Sequence, residues 1–260
     1  MILFTNDDGI KSEGISALTD VMSQYDDIKV FAPDSEKSSI SHAISLRQPV
    51  RVKVIDENHY SVSGTPADCI NLAVKGILDK KPDMVISGIN AGANLGDDVH
   101  YSGTVAGARE GFIFGISSIS VSLAGSPPFR FIDAAKMFPR VLETIKSLCE
   151  EPLFFNVNIP NIPYDKINGI LFTHQGHRIY NGGITKRIDP NNEEYFWLAS
   201  GEPTFFDEDG TDFQAITSDN VSITPLTLDT TNYKVLNEIA NRSGTITRKN
   251  SRMQKIQKGI

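Results

Sequence analysis

Two carboxylates stand side by side at the end of the chain's first apolar run. Met1-Ile2-Leu3-Phe4-Thr5 is of strand length and apolar almost throughout, and Asn6-Asp7-Asp8-Gly9 follows at once. Such a run reads as a strand buried on both faces of a parallel sheet. In open α/β sheets a ligand site lies just beyond the carboxyl ends of the strands. Adjacent carboxylates there raise each other's pKa unless a cation sits between them. Hard cations such as Mg2+, Mn2+ and Ca2+ take carboxylate and carbonyl oxygens, so one chemistry on offer is a divalent metal held by Asp7 and Asp8. The plainer reading is an Asp-Asp-Gly turn that only caps the next helix, because Asn, Asp and Gly are ordinary turn residues.

Two more polar loops follow predicted strand ends: Asp34 to His42, and Ser87 to His100, which holds Gly88, Asn90, Gly92, Asn94 and Gly96. In a parallel sheet these loops converge on one edge with the first. Their Ser and Asn side chains offer neutral oxygens to a cation, and the glycines let backbone approach a ligand. A flexible crossover would also explain the second loop, but 14 residues with three glycines is long for a connection without function. Tyr101-Ser102-Gly103-Thr104 leads straight into a predicted helix. The N–H groups and dipole of a helix start favour an anion. Alone this is an ordinary Ser/Thr cap; beside a metal it reads as a phosphate site, and the two together point to phosphoryl-ester hydrolysis.

Other uses of an α/β sheet fit less well. A dinucleotide site wants G-x-G-x-x-G after the first strand, and here that place is acidic. A response-regulator receiver needs a phospho-accepting Asp at the end of the third strand, where this chain has Ser87-Gly88. A haloacid-dehalogenase phosphatase wants D-x-D, whereas Asp7 and Asp8 are adjacent.

The elements that must position these residues alternate. Apolar residues at helical spacing predict helices over 13–24, 103–114 and 130–148, with buried strands at 28–32, 84–86, 116–123 and 153–157. Residues 50–54 and 60–62 alternate and pair as a hairpin. Thr65-Pro66-Ala67-Asp68 opens a helix, with Thr65 at the N-cap and Pro66 at the first helical position. Past residue 160 the pattern turns to strands at 167–172 and 221–224, a polar hairpin over 184–205, a short helix at 211–217 and a last helix from 232. The expectation is an α/β fold: a doubly wound, mostly parallel, Rossmann-like sheet over 1–160, a β-rich extension over 161–240 that completes the single domain and makes oligomer contacts, and a basic tail over 241–260. The acidic run Asp207-Glu208-Asp209-Gly210 reads as a solvated turn.

The 260 residues lie near the upper limit of one core. No apolar run approaches the ~18 residues of a membrane span, and no signal peptide is read at the start. Cys69 and Cys149 form neither a disulfide framework nor a zinc motif, which fits a cytoplasmic protein. The last 20 residues carry six cations and no acid, so the net charge of −7 leaves −13 on residues 1–240. Such a body repels a nucleic-acid backbone, and the tail reads as a solvated or subunit-crossing segment before a nucleic-acid arm.

Asn6-Asp7-Asp8-Gly9, Ala32-Pro33-Asp34, Ser63 to Cys69, Ser87 to Asp98, Tyr101 to Val105 and Val221 to Leu226 together resemble the survival protein E (SurE) family. The resemblance covers nearly the whole chain. It implies a metal-dependent acid phosphatase acting on nucleoside 5'- and 3'-monophosphates and assembling as dimers or tetramers through its C-terminal segment. Carried over by motif, one Mg2+ or Mn2+ ion would bind Asp7, Asp8, Ser38 and Asn90. Asn94, Ser102, Gly103 and Thr104 would contact the phosphate, with Asp7, Asp8 and Asn94 catalytic. This chain has Ser38-Ser39 where the family commonly has Ser-Gly, and Thr173-His174-Gln175-Gly176 where Thr-Arg-Leu-Gly is frequent. Of the five histidines, His100 stands next to the phosphate loop. The competing function is a nucleotide- or metal-binding sensor that uses the same loops without turnover.

Overall fold

The computed structural model describes residues 1–148, 152–179, 182–200, 204–206 and 208–243, without the side chains of 199, 200 and 243. Cys149, Asp207 and residues 244–260, which hold most of the basic tail, lie outside the described residues. By its internal contacts the chain divides into Met1–Leu226 and Thr227–Ile260.

The first unit begins β1 (Ile2–Thr5), α1 (Glu13–Met22), β2 (Ile28–Pro33), β3 (Val52–Val54), β4 (His59–Val62) and α2 (Pro66–Leu72). It continues with β5 (Met84–Ala91), α3 (Gly103–Ile113), β6 (Ser117–Ala124), α4 (Phe131–Leu148), β7 (Phe154–Pro160), β8 (Gly169–Phe172) and β9 (Arg178–Ile179). The hairpin of β10 (Gly183–Ile188) and β11 (Glu194–Ser200) follows, then β12 (Thr204–Phe205), α5 (Asp212–Thr217) and β13 (Asn220–Pro225). The second unit contains α6 (Tyr233–Ser243), on which Val235, Leu236 and Ile239 are exposed.

Nine strands form one sheet in the order β3-β4-β2-β1-β5-β6-β7-β13-β8. Every neighbouring pair from β4 to β7 is parallel. The antiparallel joins are β3 to β4, the expected hairpin, and β13 to β7. This is the doubly wound, mostly parallel sheet that the alternation predicts, and β13 and β8 extend it.

Strand periodicity explains how both faces are covered. Ile2 and Phe4 of β1 point to one side, where Ile15 and Leu18 of α1 and Phe138 and Val141 of α4 pack. Leu3 points to the other, against Cys69 and Ile70 of α2. Helix α2 starts in a reciprocal cap: the Asp68 N–H donates to the Thr65 hydroxyl at 3.1 Å, and the Thr65 N–H donates to the Asp68 carboxylate at 2.9 Å.

One expectation is corrected. The stretch from Ser87 is not loop: β5 runs on to Ala91, pairing Asn90 with Ser122 and Ala91 with Leu123 after a register shift beyond Ser87. Pairing with a central neighbour outweighs the turn preference of Gly and Asn. Gly88 permits the shift, with φ +139° and so little room that a Cβ would lie 2.2 Å from the Val121 carbonyl oxygen. Residues Gly96–His100 then close into a 3-10 turn.

Candidate active site

The central strand β1 has β2 on one side and β5 on the other. The chain winds outward from β1 through β2 and β4, returns to β5, and winds outward again through β6 and β7. The strand order therefore reverses between β1 and β5, where ligands bind in such sheets. Asp7 and Asp8 follow β1 directly, and Asn90 lies near the end of β5. A cleft of about 450 Å³ opens there, and Asp7, Asp8, Ser38, Asn90, Asn94 and Ser102 all line it. Gly103 and Thr104 lie buried behind it at the start of α3. His100 is exposed and does not line the cleft.

The electrostatics of the cleft are one-sided. Among the described residues that line it are Asp7, Asp8, Glu36 and Asp98, and none is Lys, Arg or His. Asp7 is 6% exposed, and burial pushes its carboxyl up to about 6, against hydrogen bonds from Thr104 that favour the charged form. Burial also raises Asp8, with the Glu36 charge adding to the shift, although the Ala91 N–H donates to Asp8 Oδ2 at 3.2 Å. Asp98 is ion-paired with Arg178. Two desolvated carboxylates with no cation among the lining side chains are the environment a metal ion relieves. No three His, Cys, Asp or Glu gather in a metal cluster among the described residues. An ion here would draw on two carboxylates plus hydroxyl and carboxamide oxygens, a donor set for a hard cation.

Local structure explains why the carboxylates sit where they do. The Thr104 hydroxyl donates to Asp7 Oδ1. Asp7 also packs against Gly103, where a Cβ would come within 2.9 Å of both its Cβ and its Oδ2. Ser102 caps α3, its hydroxyl accepting from the Val105 N–H at 3.0 Å. The loop that carries Ser38 is pinned along its length. The Lys37 N–H donates to the Asp7 carbonyl at 2.7 Å, and the Ser41 N–H to the Tyr101 carbonyl at 2.9 Å. His42 Nε2 meets Glu110 Oε2 of α3 at 2.7 Å, and Asp68 accepts from the N–H and hydroxyl of Ser45 at 2.9 and 2.8 Å. Ser39 and Ser41 both take positive φ, +52° and +54°.

Sequence reasoning missed the residues that hold the Asn94 segment. The Asn156 and Asn158 side chains donate to the Asn94 carbonyl at 2.8 and 3.0 Å, and the Asn94 side chain donates to the Ser122 hydroxyl at 2.8 Å. Two asparagines two apart on one face of the apolar strand β7 were the available signal. Fully buried Asp212 is a second omission: it accepts from the Gly96 N–H at 2.8 Å and the Gly176 N–H at 2.9 Å. Nothing local marks it, since Gly96 lies 116 residues away.

This geometry can be set beside known proteins. Residues 2–182 match the family model described as Survival protein SurE. The 5'-nucleotidase SurE of Pelobacter propionicus is 46% identical over 234 residues, covering 89% of this chain and 95% of that protein. The 5'-nucleotidase SurE of Aquifex aeolicus is 43% identical over 240 residues, covering 91% of this chain and 96% of that one. The crystal structure of the SurE protein from Aquifex aeolicus matches with a TM-score of 0.82 at 40% identity, over 93% of this chain and 99% of that chain. Sequence, fold and family model agree over most of its length, and the chain belongs to the SurE family.

Proposed function

We propose that the chain is a metal-dependent phosphatase that hydrolyses nucleoside 5'- and 3'-monophosphates to nucleoside and phosphate. The observation that carries this reading is the meeting of four oxygen donors, Asp7, Asp8, Ser38 and Asn90, with the start of α3 in one cleft. Relatives named 5'-nucleotidase, alike over about nine-tenths of the chain, support it.

Those four residues would hold one Mg2+ or Mn2+ per subunit. The positive φ of Ser39, a conformation that favours glycine, suits the Gly of the family's Ser-Gly pair and supports Ser38 as the ligand. Once bound, the ion would neutralise phosphate oxygens and make water a stronger nucleophile. Ser102 fixes the start of α3, so that the Gly103 N–H and the helix dipole favour the anion and the charge that develops on it. Asn94 gives one side-chain N–H to Ser122 and keeps the other for a phosphate oxygen. The Thr104 hydroxyl is committed to Asp7, so its part is to hold that carboxylate.

A homodimer or homotetramer fits the exposed apolar side chains of the β10–β11 hairpin, Ile184, Ile188, Phe196, Trp197 and Leu198. No helix among the described residues is long and apolar enough to cross a membrane. A cytoplasmic location suits the buried free thiol of Cys69, and nucleic acid is not a partner in this reading. Incubation with AMP or p-nitrophenyl phosphate tests the activity: free phosphate should appear within minutes. A stable AMP complex with no phosphate over hours would overturn the reading in favour of a binding module.

A further inference from the structure

We propose that Tyr101 is the platform on which the substrate's nucleobase stacks, a proposal that rests on the nucleotidase reading. Tyr101 lines the cleft and immediately precedes Ser102, the cap of the phosphate-facing helix. Its backbone is fixed on both sides: its N–H donates to the Asp98 carbonyl at 3.0 Å, and its carbonyl accepts from Ser41 at 2.9 Å. Its side chain is 60% exposed, and its hydroxyl has no hydrogen-bond partner among the described residues.

The chemistry of the lining singles this ring out. The other described lining side chains are carboxylates, hydroxyls, carboxamides and the methyls of Ala91 and Ala93. None offers a flat apolar face, and Glu36 presents charge. A phosphate held at Ser102 and Gly103 leaves the nucleoside to run out along the rim, where Tyr101 is the adjacent residue. A ring on a pinned backbone loses little freedom when a base settles on it. Because every base has a π-face, such stacking tolerates all four, so the subsite accepts AMP, GMP, CMP and UMP alike.

The test is the ratio of KM for ribose 5-phosphate, which has no base, to KM for each nucleoside 5'-monophosphate. The parent should favour the nucleotides, and Tyr101→Ala should cut the ratio by roughly 5- to 150-fold, the equivalent of one lost stack. Tyr101→Phe, which keeps the ring, should retain the parental ratio. If Tyr101→Ala leaves the ratio where it was, or the parent shows no preference for nucleotides, the stacking proposal is overturned and the phosphatase reading stands. If the parent hydrolyses neither ester, the nucleotidase reading falls and the proposal falls with it.

Discussion

Asp7 is a carboxylate held almost out of water by its own neighbours. Gly103 gives it room, and Thr104 bonds one of its oxygens. Gly103→Ala should therefore act through Asp7. A Cβ 2.9 Å from Asp7 Oδ2 forces the carboxylate aside, costing about 1–3 kcal/mol of stability and, by misplacing a proposed metal ligand, on the order of 100-fold in kcat. Thermal unfolding and steady-state kinetics on one preparation check both. Ser38→Ala should weaken Mn2+ binding in titration calorimetry more than Ser39→Ala; the reverse order would show that Ser39 is the ligand. At this scale Asp7 and Asp8 were legible as candidate donors because they stand directly after an apolar strand, whereas Ser38 and Asn90 were named only through the family resemblance. Asn156, Asn158 and Ser122 were not legible, because they act from neighbouring strands on a backbone carbonyl and a carboxamide that only the fold brings to them.

At the scale of elements, the segment after β8 is stapled to the cleft's 3-10 turn. Gln175 donates to the Gly96 carbonyl at 3.0 Å, the Arg178 N–H donates to Asp97 at 3.0 Å, and Asp212 grips Gly96 and Gly176. Thr173-His174-Gln175-Gly176 thus braces the loop even without the family's frequent Arg. Asp212→Asn places an N–H donor where a carboxylate oxygen accepted one, so kcat should fall by about 10-fold or more through a shifted Asn94 segment. The same variant carries a pH signature. Burial holds the Asp212 carboxyl above its ordinary 3.8, against hydrogen bonds from Gly96, Gly176 and Phe213. A raised carboxylate pKa costs nothing below the ordinary value and its full amount above the raised one, so parental stability falls as pH climbs through that window. Unfolding free energy of the Asn variant minus that of the parent should therefore grow from about pH 4 upward. A difference that is flat or falls with pH would contradict it. The reach of β5 to Ala91 was illegible for a related reason: Gly and Asn read as turn until β6 supplies a pairing partner.

For the whole molecule, the doubly wound sheet was legible because its strands are continuous apolar runs separated by helical periodicity, and connections between parallel strands must cross over. The antiparallel placement of β13 against β7 was not, since direction depends on where the chain re-enters the sheet. The basic tail belongs to this scale too. Residues 1–240 carry −13 and the last 20 residues +6, a charge contrast that would draw the tail to a partner's acidic surface in the proposed oligomer. Deleting residues 243–260 should shift light-scattering mass to smaller species; unchanged mass would leave the tail a solvated appendage. The cleft itself is tested most directly by phosphate release from AMP after chelation. Protein stripped with EDTA should release none, Mg2+ or Mn2+ should restore release, and Asp7→Asn and Asp8→Asn should stay roughly 100-fold or more below the parent with the metal present while unfolding at a similar temperature. Full activity in the stripped protein, or parental rates in both variants, would contradict a metal-dependent phosphatase built on these carboxylates.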